Sequence, residues 1–218
     1  MDLTNKTVVF LGDSITAGSS ATSDEKVFHN VLKLETNIKK VVNLGAGGTR
    51  IARQKTPSEE EIYDDDFNLR YDRTGKCGDV IFIFGGTNDF GHGDAPIGSS
   101  QDDDVYTFCG ALNVLLEKAV KDYGKENVIL ITPLHRLGEN NLKGEGKKPA
   151  DGEPLSVYVE AEKAVAKKRG VKIIDLWEEK RLNPNDEANA CLFADGLHPN
   201  DDGHKLLAEI LKEKIRRL

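Results

Sequence analysis

The chain has 218 residues, of which 38% are hydrophobic and 31% charged, a composition typical of a globular protein that folds in water. A chain of this length buries roughly 70% of its unfolded surface, so residues 1–218 are expected to form one domain whose core needs no disulfide or metal. The net charge of −7 argues against nucleic acid as a partner, because nucleic-acid binding requires clustered Lys and Arg.

Five short apolar runs predict buried parallel strands, because they are rich in β-branched residues and do not alternate with polar ones. In chain order these runs are residues 7–11, 40–44, 80–84, 128–132 and 171–175. Apolar residues at helical spacing separate or follow the runs and predict amphipathic helices. The apolar stripes are Val27, Val31, Leu32 and Leu34; Val105, Phe108, Leu112, Leu115, Leu116 and Ala119; Val157, Ala161, Ala164 and Val165; and Leu207, Ile210, Leu211, Ile215 and Leu218.

Strands that alternate with helices predict an α/β fold in which an open parallel sheet is covered on both faces. Ligands of such sheets bind beyond the carboxyl ends of the strands. Two connections, 50–78 and 133–154, are longer than ordinary loops. We interpret the acidic runs 58–61 and 64–66 as solvated surface, whereas the aromatic stretch 67–71 is a candidate lining for a pocket.

Ser14 follows the first predicted strand in a Gly12-Asp13-Ser14 turn, which would expose its hydroxyl at the end of the sheet. A free serine is a poor nucleophile and needs a base within hydrogen-bond reach. His198 is a candidate base, since Asp195 precedes it by three residues and can orient its imidazole. Ser14 alone would more commonly be a helix N-cap, but the Asp195–His198 pair later in the chain favours a nucleophile.

Two glycine-containing motifs after the second and third strands are candidates for an oxyanion hole. A tetrahedral intermediate carries negative charge on the former carbonyl oxygen, and each donor aimed at it typically contributes a factor of about a hundred to a thousand. The candidate donors are the backbone N–H groups of Ser14 and Gly48 and the side-chain amide of Asn88. In isolation, plain turn chemistry explains the glycines and Asn88 equally well.

Together these motifs resemble the four signature blocks of the SGNH hydrolases, the GDSL-type esterases and lipases. The blocks are Gly12-Asp13-Ser14, Gly48, Gly86-Thr87-Asn88-Asp89 and Asp195-Gly196-Leu197-His198. Gly48 is preferred over Gly47 because the functional glycine of this family comes five residues after an asparagine. The resemblance implies a flavodoxin-like three-layer α/β/α sandwich with a five-stranded parallel sheet. It also implies a Ser14–His198–Asp195 triad and no metal or other cofactor.

Further polar residues near the predicted edge of the sheet are interpreted as substrate contacts; they are Asp13, His92, His135 and Arg136. Asp89, His92 and Asp94 could instead suggest a metal site, but no further cluster at ligand spacing supports one, and loop polarity beside an active site is favoured. Trp177 is interpreted as partly buried packing, with sugar stacking as the less favoured alternative.

Three other functions compete with a serine esterase. A flavodoxin-like binding module could hold a phosphate or flavin at the same edge, but residues 12–18 lack the Lys of a P-loop and the GxGxxG spacing, and this function leaves Asn88 and His198 unexplained. An α/β-hydrolase needs a GxSxG elbow, and Thr16 stands at the second glycine position. A metallophosphoesterase needs metal ligands that the pattern does not supply.

The polar, acidic loops favour a short-acyl ester as the substrate, above all an acetyl ester of a saccharide or other small polar alcohol. A lysophospholipase or thioesterase of the same superfamily is the nearest competitor. Cys77, Cys109 and Cys191 form no CxxC pair, which indicates idle thiols in a reducing compartment. The polar N-terminus and the lack of a membrane-length apolar stretch predict a cytoplasmic protein with no membrane partner.

Overall fold

The computed structural model describes residues 1–148 and 152–218. Its strands form a parallel sheet in the order β2-β1-β3-β4-β5, which is the strand order of flavodoxin-like doubly wound folds. The strands are β1 (Thr7–Gly12), β2 (Lys40–Gly45), β3 (Val80–Phe84), β4 (Val128–Ile131) and β5 (Lys172–Ile174). The predicted five-stranded α/β fold is therefore confirmed, and the predicted strand ends are within one residue of the observed ones.

Helices connect the strands and lie on both faces of the sheet. The α-helices are α1 (Ser14–Ala17), α2 (Phe28–Glu35), α3 (Phe67–Thr74), α4 (Thr87–His92), α5 (Phe108–Tyr123), α6 (Leu155–Arg169), α7 (Glu187–Ala190) and α8 (Asp201–Ile215). Single 3₁₀ turns lie at Asp24–Lys26, Glu61–Asp64, Lys125–Asn127 and Lys180–Leu182. Within the two described ranges, no helix is both long and apolar enough to cross a bilayer.

The hydrophobic core lies in two layers, one on each face of the sheet. Successive strand residues point to opposite faces, so β1 places Val9 in one layer and Phe10 in the other. The layer of Val9 is completed by residues of α3, α5 and α6. The layer of Phe10 is completed by residues of α2 and α8. This arrangement is the three-layer α/β/α sandwich that the resemblance implied.

The predicted helical stripes are correct only in part, because two helices bury polar side chains that the apolar pattern ignores. In α2, Leu34 is 79% exposed and His29 is buried instead. In α6, Ala164 is exposed, whereas Glu162 is fully buried, and burial raises the pKa of its carboxyl well above the usual range. Val105 lies before α5 rather than in it. A stripe of apolar letters therefore locates a helix better than it locates its buried face.

The long connection 50–78 is folded rather than loose, and two interpretations of it hold only in part. Phe67 is fully buried and Tyr71 is 3% exposed, so both belong to the core of the sandwich, whereas Leu69 between them is exposed and lines a surface pocket with Ile62. Asp66, at the end of the second acidic run, is also buried; it caps α3 and accepts a hydrogen bond from Arg53 Nε at 2.8 Å. The acidic run is therefore not entirely solvated surface.

The buried imidazole of His204 makes stability depend on pH. It lies in α8, fully buried, with its ring stacked on Phe28 at a centroid distance of 6.0 Å. Burial lowers the pKa of His204 to about 4, below its ordinary value of 6.5. His204 therefore stabilises the fold fully above pH 6.5, and this contribution is lost as the pH falls towards 4, because the unfolded chain takes up the proton first.

The unfolding free energy of the wild type falls between pH 7.5 and pH 5. We expect this fall to be about 2 kcal/mol smaller in His204→Leu. Urea unfolding at the two pH values measures this difference. Lys205→Leu changes the neighbouring exposed position and should leave the pH dependence unchanged. Equal pH dependence in the wild type and His204→Leu would contradict the prediction.

Candidate active site

The four sequence motifs lie together at the carboxyl end of the sheet. Ser14 opens α1 directly after β1, Gly48 lies in the loop after β2, and Asn88 lies in the first turn of α4 after β3. Residues 195–198 form the loop before α8. Because parallel strands end at the same edge of the sheet, segments distant in sequence meet at this edge.

A continuous chain of hydrogen bonds links a serine, a histidine and an aspartate. Ser14 Oγ lies 2.8 Å from His198 Nε2, and His198 Nδ1 lies 2.7 Å from Asp195 Oδ2. The other carboxylate oxygen of Asp195 accepts the backbone N–H groups of Leu197 and His198 at 2.9 and 2.8 Å. These distances are within the reach that proton transfer between a nucleophile and a general base requires.

The electrostatics of the loop keep Asp195 ionised. Partial burial acts to raise the pKa of Asp195, but hydrogen bonds from the backbone and ring of His198 and from Leu197 N–H outweigh it, and the net pKa is lowered. The side chain of Asp195 is 52% exposed and that of His198 is 20% exposed, whereas Ser14 is buried. A carboxylate in this position fixes the imidazole tautomer and stabilises the imidazolium.

Asp13 is the residue that caps α1, so the alternative in which Ser14 serves as the N-cap is wrong. The Asp13 carboxylate accepts the backbone N–H of Ile15 at 3.0 Å and is 2% exposed. Burial raises the pKa of Asp13 to about 6. The expectation that Asp13 contacts substrate is therefore corrected: its buried side chain holds the turn that presents Ser14.

Gly48 occupies a position that only glycine fits, for two reasons. Its φ of +72° lies in the left-handed region, which other residues rarely adopt. A Cβ atom at Gly48 would also lie within 1.9 Å of Cε1 of Tyr63. At Gly47, by contrast, a Cβ atom would meet only Ser14 Cβ, at an ordinary 3.8 Å. The aromatic ring of Tyr63 thus packs directly against Gly48.

Asn88 joins the third motif to the second. Its Nδ2 atom donates a hydrogen bond to the carbonyl oxygen of Thr49 at 3.0 Å, and the residue is 4% exposed. The neighbouring Asp89 carboxylate accepts the backbone N–H groups of Ile51 and Ala52, both at 2.9 Å. Since a side-chain amide carries two hydrogens, Asn88 can hold Thr49 and still donate to a ligand.

Arg70 is a structural residue of the site that sequence reasoning missed. From α3 its buried guanidinium donates to the carbonyl oxygens of Gly12 and Leu44, at 2.8 and 2.6 Å, and to Thr49 Oγ1 at 2.9 Å. Burial lowers the pKa of Arg70 to about 10, which leaves the side chain charged at neutral pH. The only sequence signal was a lone cation between the apolar residues of the stretch 67–71.

Residues 10–206 match the family model of the GDSL-like lipase/acylhydrolases. The chain belongs to this family. The members of the family are lipases and acylhydrolases, so this GDSL-family chain is a hydrolase of ester bonds, as the resemblance implied. None of the curated proteins is similar enough in sequence to count as a match.

Solved structures of the same fold cover nearly the whole chain. A protein from Lactobacillus plantarum is 27% identical, with a TM-score of 0.80 over 100% of this chain and 98% of its own. A lipase/acylhydrolase from Enterococcus faecalis is 22% identical, with a TM-score of 0.62 over 96% of this chain and 95% of its own. An acetyl xylan esterase is 23% identical, with a TM-score of 0.62 over 96% of this chain and 99% of its own.

Of the expected substrate contacts in this GDSL-family hydrolase, Arg136 is engaged inside the protein. It is 6% exposed, and its guanidinium donates to Thr87 Oγ1 at 3.2 Å and to Glu145 Oε1 at 2.8 Å. Its role is therefore corrected from substrate contact to support of α4, the helix that carries Asn88. This role was invisible in sequence because Thr87 lies 49 residues away, in α4.

His92 and His135 lie at opposite sides of the same edge. His92 packs on the ring of Tyr63 at a centroid distance of 4.8 Å, beside Gly48, and its Nδ1 lies 3.4 Å from Arg50 Nη1. His135 stacks on Trp177 at a centroid distance of 3.8 Å. Both histidines are partly exposed, so both remain candidates for contact with substrate.

The alternative of a metal site at Asp89, His92 and Asp94 receives no support from their contacts. The Asp89 oxygens are taken by backbone N–H groups, and Asp94 Oδ2 accepts the N–H of Thr56 at 3.3 Å. Within residues 1–148 and 152–218, no three His, Cys, Asp or Glu side chains are placed to hold a metal ion. Asp89 lies buried in α4, where its carboxylate holds the backbone of the loop after β2.

The hydrogen bonds of Arg70 lead to a stability prediction. Arg70→Met removes a buried charged donor from the carbonyl oxygens of Gly12 and Leu44 and from Thr49 Oγ1, and we expect it to lower the unfolding free energy by about 3 kcal/mol. Urea unfolding measures the change. Arg73→Met in the same helix removes a largely exposed ion pair with Asp65 and should leave the unfolding free energy nearly unchanged. Similar losses for the two variants would contradict the prediction.

Proposed function

We propose that residues 1–218 are one catalytic domain of a serine esterase, with Ser14 as nucleophile, His198 as general base and Asp195 as the residue that orients His198. The observation that carries this proposal is the hydrogen-bond chain from Ser14 Oγ through His198 to Asp195, with links of 2.8 and 2.7 Å. The proposed oxyanion donors are the N–H groups of Ser14 and Gly48 and the side-chain amide of Asn88.

The proposed mechanism uses these groups in two half-reactions. His198 takes the proton of the Ser14 hydroxyl as Ser14 Oγ attacks the ester carbonyl, and the oxyanion donors stabilise the negative charge of the tetrahedral intermediate. His198 then protonates the leaving alcohol, and an acyl-enzyme remains. A water molecule activated by His198 attacks this acyl group and releases the acid and free Ser14.

The packing of Tyr63 supports a short acyl group. Its ring lies against Gly48 and His92, and so occupies space beside a proposed oxyanion donor. The backbone of Tyr63 is held by Arg50, whose Nη2 donates to the Tyr63 carbonyl at 3.1 Å and to Asp64 Oδ1 at 2.6 Å. Because Arg50 is 2% exposed, this contact is anchored in the protein interior. A fixed ring restricts the length of acyl chain that the site accepts.

For the alcohol, the polar loops support a saccharide or another small polar alcohol, carrying an acetyl ester above all. The acetyl xylan esterase of the same fold is consistent with this proposal, although its 23% identity establishes only the fold. One observation favours the alternative of a lysophospholipase or thioesterase: Leu137, which contacts Gly196 of the Asp195–His198 loop, is 52% exposed. Acyl-chain preference discriminates between the two.

The first test is hydrolysis of p-nitrophenyl acetate, in the presence of a chelator, by the wild type and Ser14→Ala. We expect kcat/KM to fall by a factor of about 10⁴ or more, because the variant lacks the nucleophile. The midpoint of thermal unfolding checks that the fold is retained. Ser23→Ala, at an exposed serine, should keep full activity. A Ser14→Ala protein that retains most of its activity would disprove the proposed nucleophile.

The second test concerns acyl length. Tyr63→Ala opens the space beside Gly48, so we expect the ratio of kcat/KM for p-nitrophenyl hexanoate to that for p-nitrophenyl acetate to rise about tenfold. Tyr106→Ala removes a tyrosine that is 42% exposed and should leave the ratio unchanged. If the wild type already prefers the hexanoate, the short-acyl proposal is wrong and the lipid alternative takes its place.

A further inference from the structure

A cavity of about 360 Å³ lies beside the candidate active site, where β4 and β5 end. Its lining residues are His135, Trp177, Glu178, Lys180, Asn183 and Asp186. The proposed chemistry at Ser14 does not use any of these side chains. These side chains are therefore available for a binding role separate from the chemistry at Ser14.

One wall of the cavity is an aromatic pair that the protein holds in place. The rings of His135 and Trp177 are stacked, with an interplanar angle of 29°. His135 Nε2 lies 2.8 Å from the Trp177 carbonyl oxygen, and His135 Nδ1 lies 3.0 Å from Glu139 Oε2. Thr132 Oγ1 accepts the backbone N–H of Trp177 at 3.1 Å. The pair is thus fixed before any ligand arrives.

The remaining lining residues have polar side chains that can form hydrogen bonds with hydroxyl groups. The carboxylates of Glu178 and Asp186 can accept hydrogen bonds from hydroxyls, and the ammonium group of Lys180 can donate to them. The side-chain amide of Asn183 can donate through Nδ2, while its Oδ1 accepts from the N–H and Nδ2 of Asn185, both at 3.0 Å. An aromatic surface with a few polar groups around it matches a sugar ring, which has apolar C–H faces and a rim of hydroxyls.

The segment that follows His135 of this cavity contacts the proposed catalytic loop directly. The backbone N–H of Leu137, two residues after His135, donates to the carbonyl oxygen of Gly196 at 2.8 Å. Asn185, between two lining residues, donates from Nδ2 to the carbonyl oxygen of Arg136 at 3.2 Å. The general base of a serine hydrolase protonates the leaving alcohol, so the alcohol lies on the side of His198.

We propose that this cavity is the subsite that binds the sugar ring of the substrate's alcohol portion, with Trp177 as the principal contact. The proposal rests on the proposed esterase function, because it assigns the cavity to the leaving-group side of that reaction. It goes beyond that function by assigning the sugar ring to a particular cavity and by naming the residues that bind it.

Two substrates separate the subsite from the chemistry. p-Nitrophenyl acetate has no sugar, whereas acetylated xylotriose would place a sugar in the cavity. We expect Trp177→Ala to lower kcat/KM for acetylated xylotriose by about tenfold and to leave p-nitrophenyl acetate hydrolysis within about twofold of the wild type. Glu178→Ala changes an exposed lining residue and should likewise lower kcat/KM for acetylated xylotriose more than for p-nitrophenyl acetate. This variant tests the subsite if Trp177→Ala fails to fold.

A binding measurement keeps the two proposals distinguishable. Trp177 is the only tryptophan of the chain, so intrinsic fluorescence reports directly on this cavity. We expect unacetylated xylotriose to change the fluorescence of both the wild type and Ser14→Ala, in a saturable way. If Ser14-dependent hydrolysis of p-nitrophenyl acetate is observed but xylotriose does not change the fluorescence, the subsite is overturned and the esterase is not. The same follows if Glu178→Ala lowers kcat/KM equally for both substrates. A saturable change in a protein that hydrolyses neither ester would show that the cavity binds the sugar, but would overturn the esterase and with it the assignment of the cavity to a leaving group.

Discussion

The site depends on one buried cation that holds together the ends of two strands. The guanidinium of Arg70 donates hydrogen bonds to the carbonyl oxygens of Gly12 and Leu44, at the ends of β1 and β2. It also donates to Thr49 in the loop that contains Gly48. These segments carry buried carbonyl oxygens where the strands end, and buried acceptors that lose a donor destabilise a fold. A single planar side chain satisfies them and sets the spacing between Ser14 and Gly48.

The same hydrogen-bond network includes Asn88 of the motif after β3. Thr49 accepts from Arg70 through its hydroxyl and from Asn88 through its carbonyl oxygen. The proposed oxyanion donors on Ser14, Gly48 and Asn88 are therefore fixed by contacts that exist before substrate binds. Donors that do not have to reorganise as charge develops stabilise a transition state far better than mobile ones.

The sequence was sufficient for features that are local or periodic, and insufficient for contacts between distant segments. Five apolar runs predicted the strands because a buried parallel strand is uniformly apolar, and the family motifs predicted which residues would meet. The roles of Arg70, Arg136 and Asp13 were missed or misjudged, because a polar residue gives no sign of whether it faces a ligand or a buried backbone group. The packing of Tyr63 on Gly48 was equally hidden, since neither residue's neighbours in sequence specify the other.

The proposed nucleophile and base lie 184 residues apart in sequence, near opposite ends of the chain. The Met1 ammonium likewise donates a hydrogen bond to the carbonyl oxygen of Ile215, 214 residues away in sequence, at 2.7 Å. During synthesis the amino-terminal segments leave the ribosome long before the loop of His198 does. A nascent chain thus carries the serine without its base, and in the proposed mechanism it stays inert towards esters until α8 has emerged and docked.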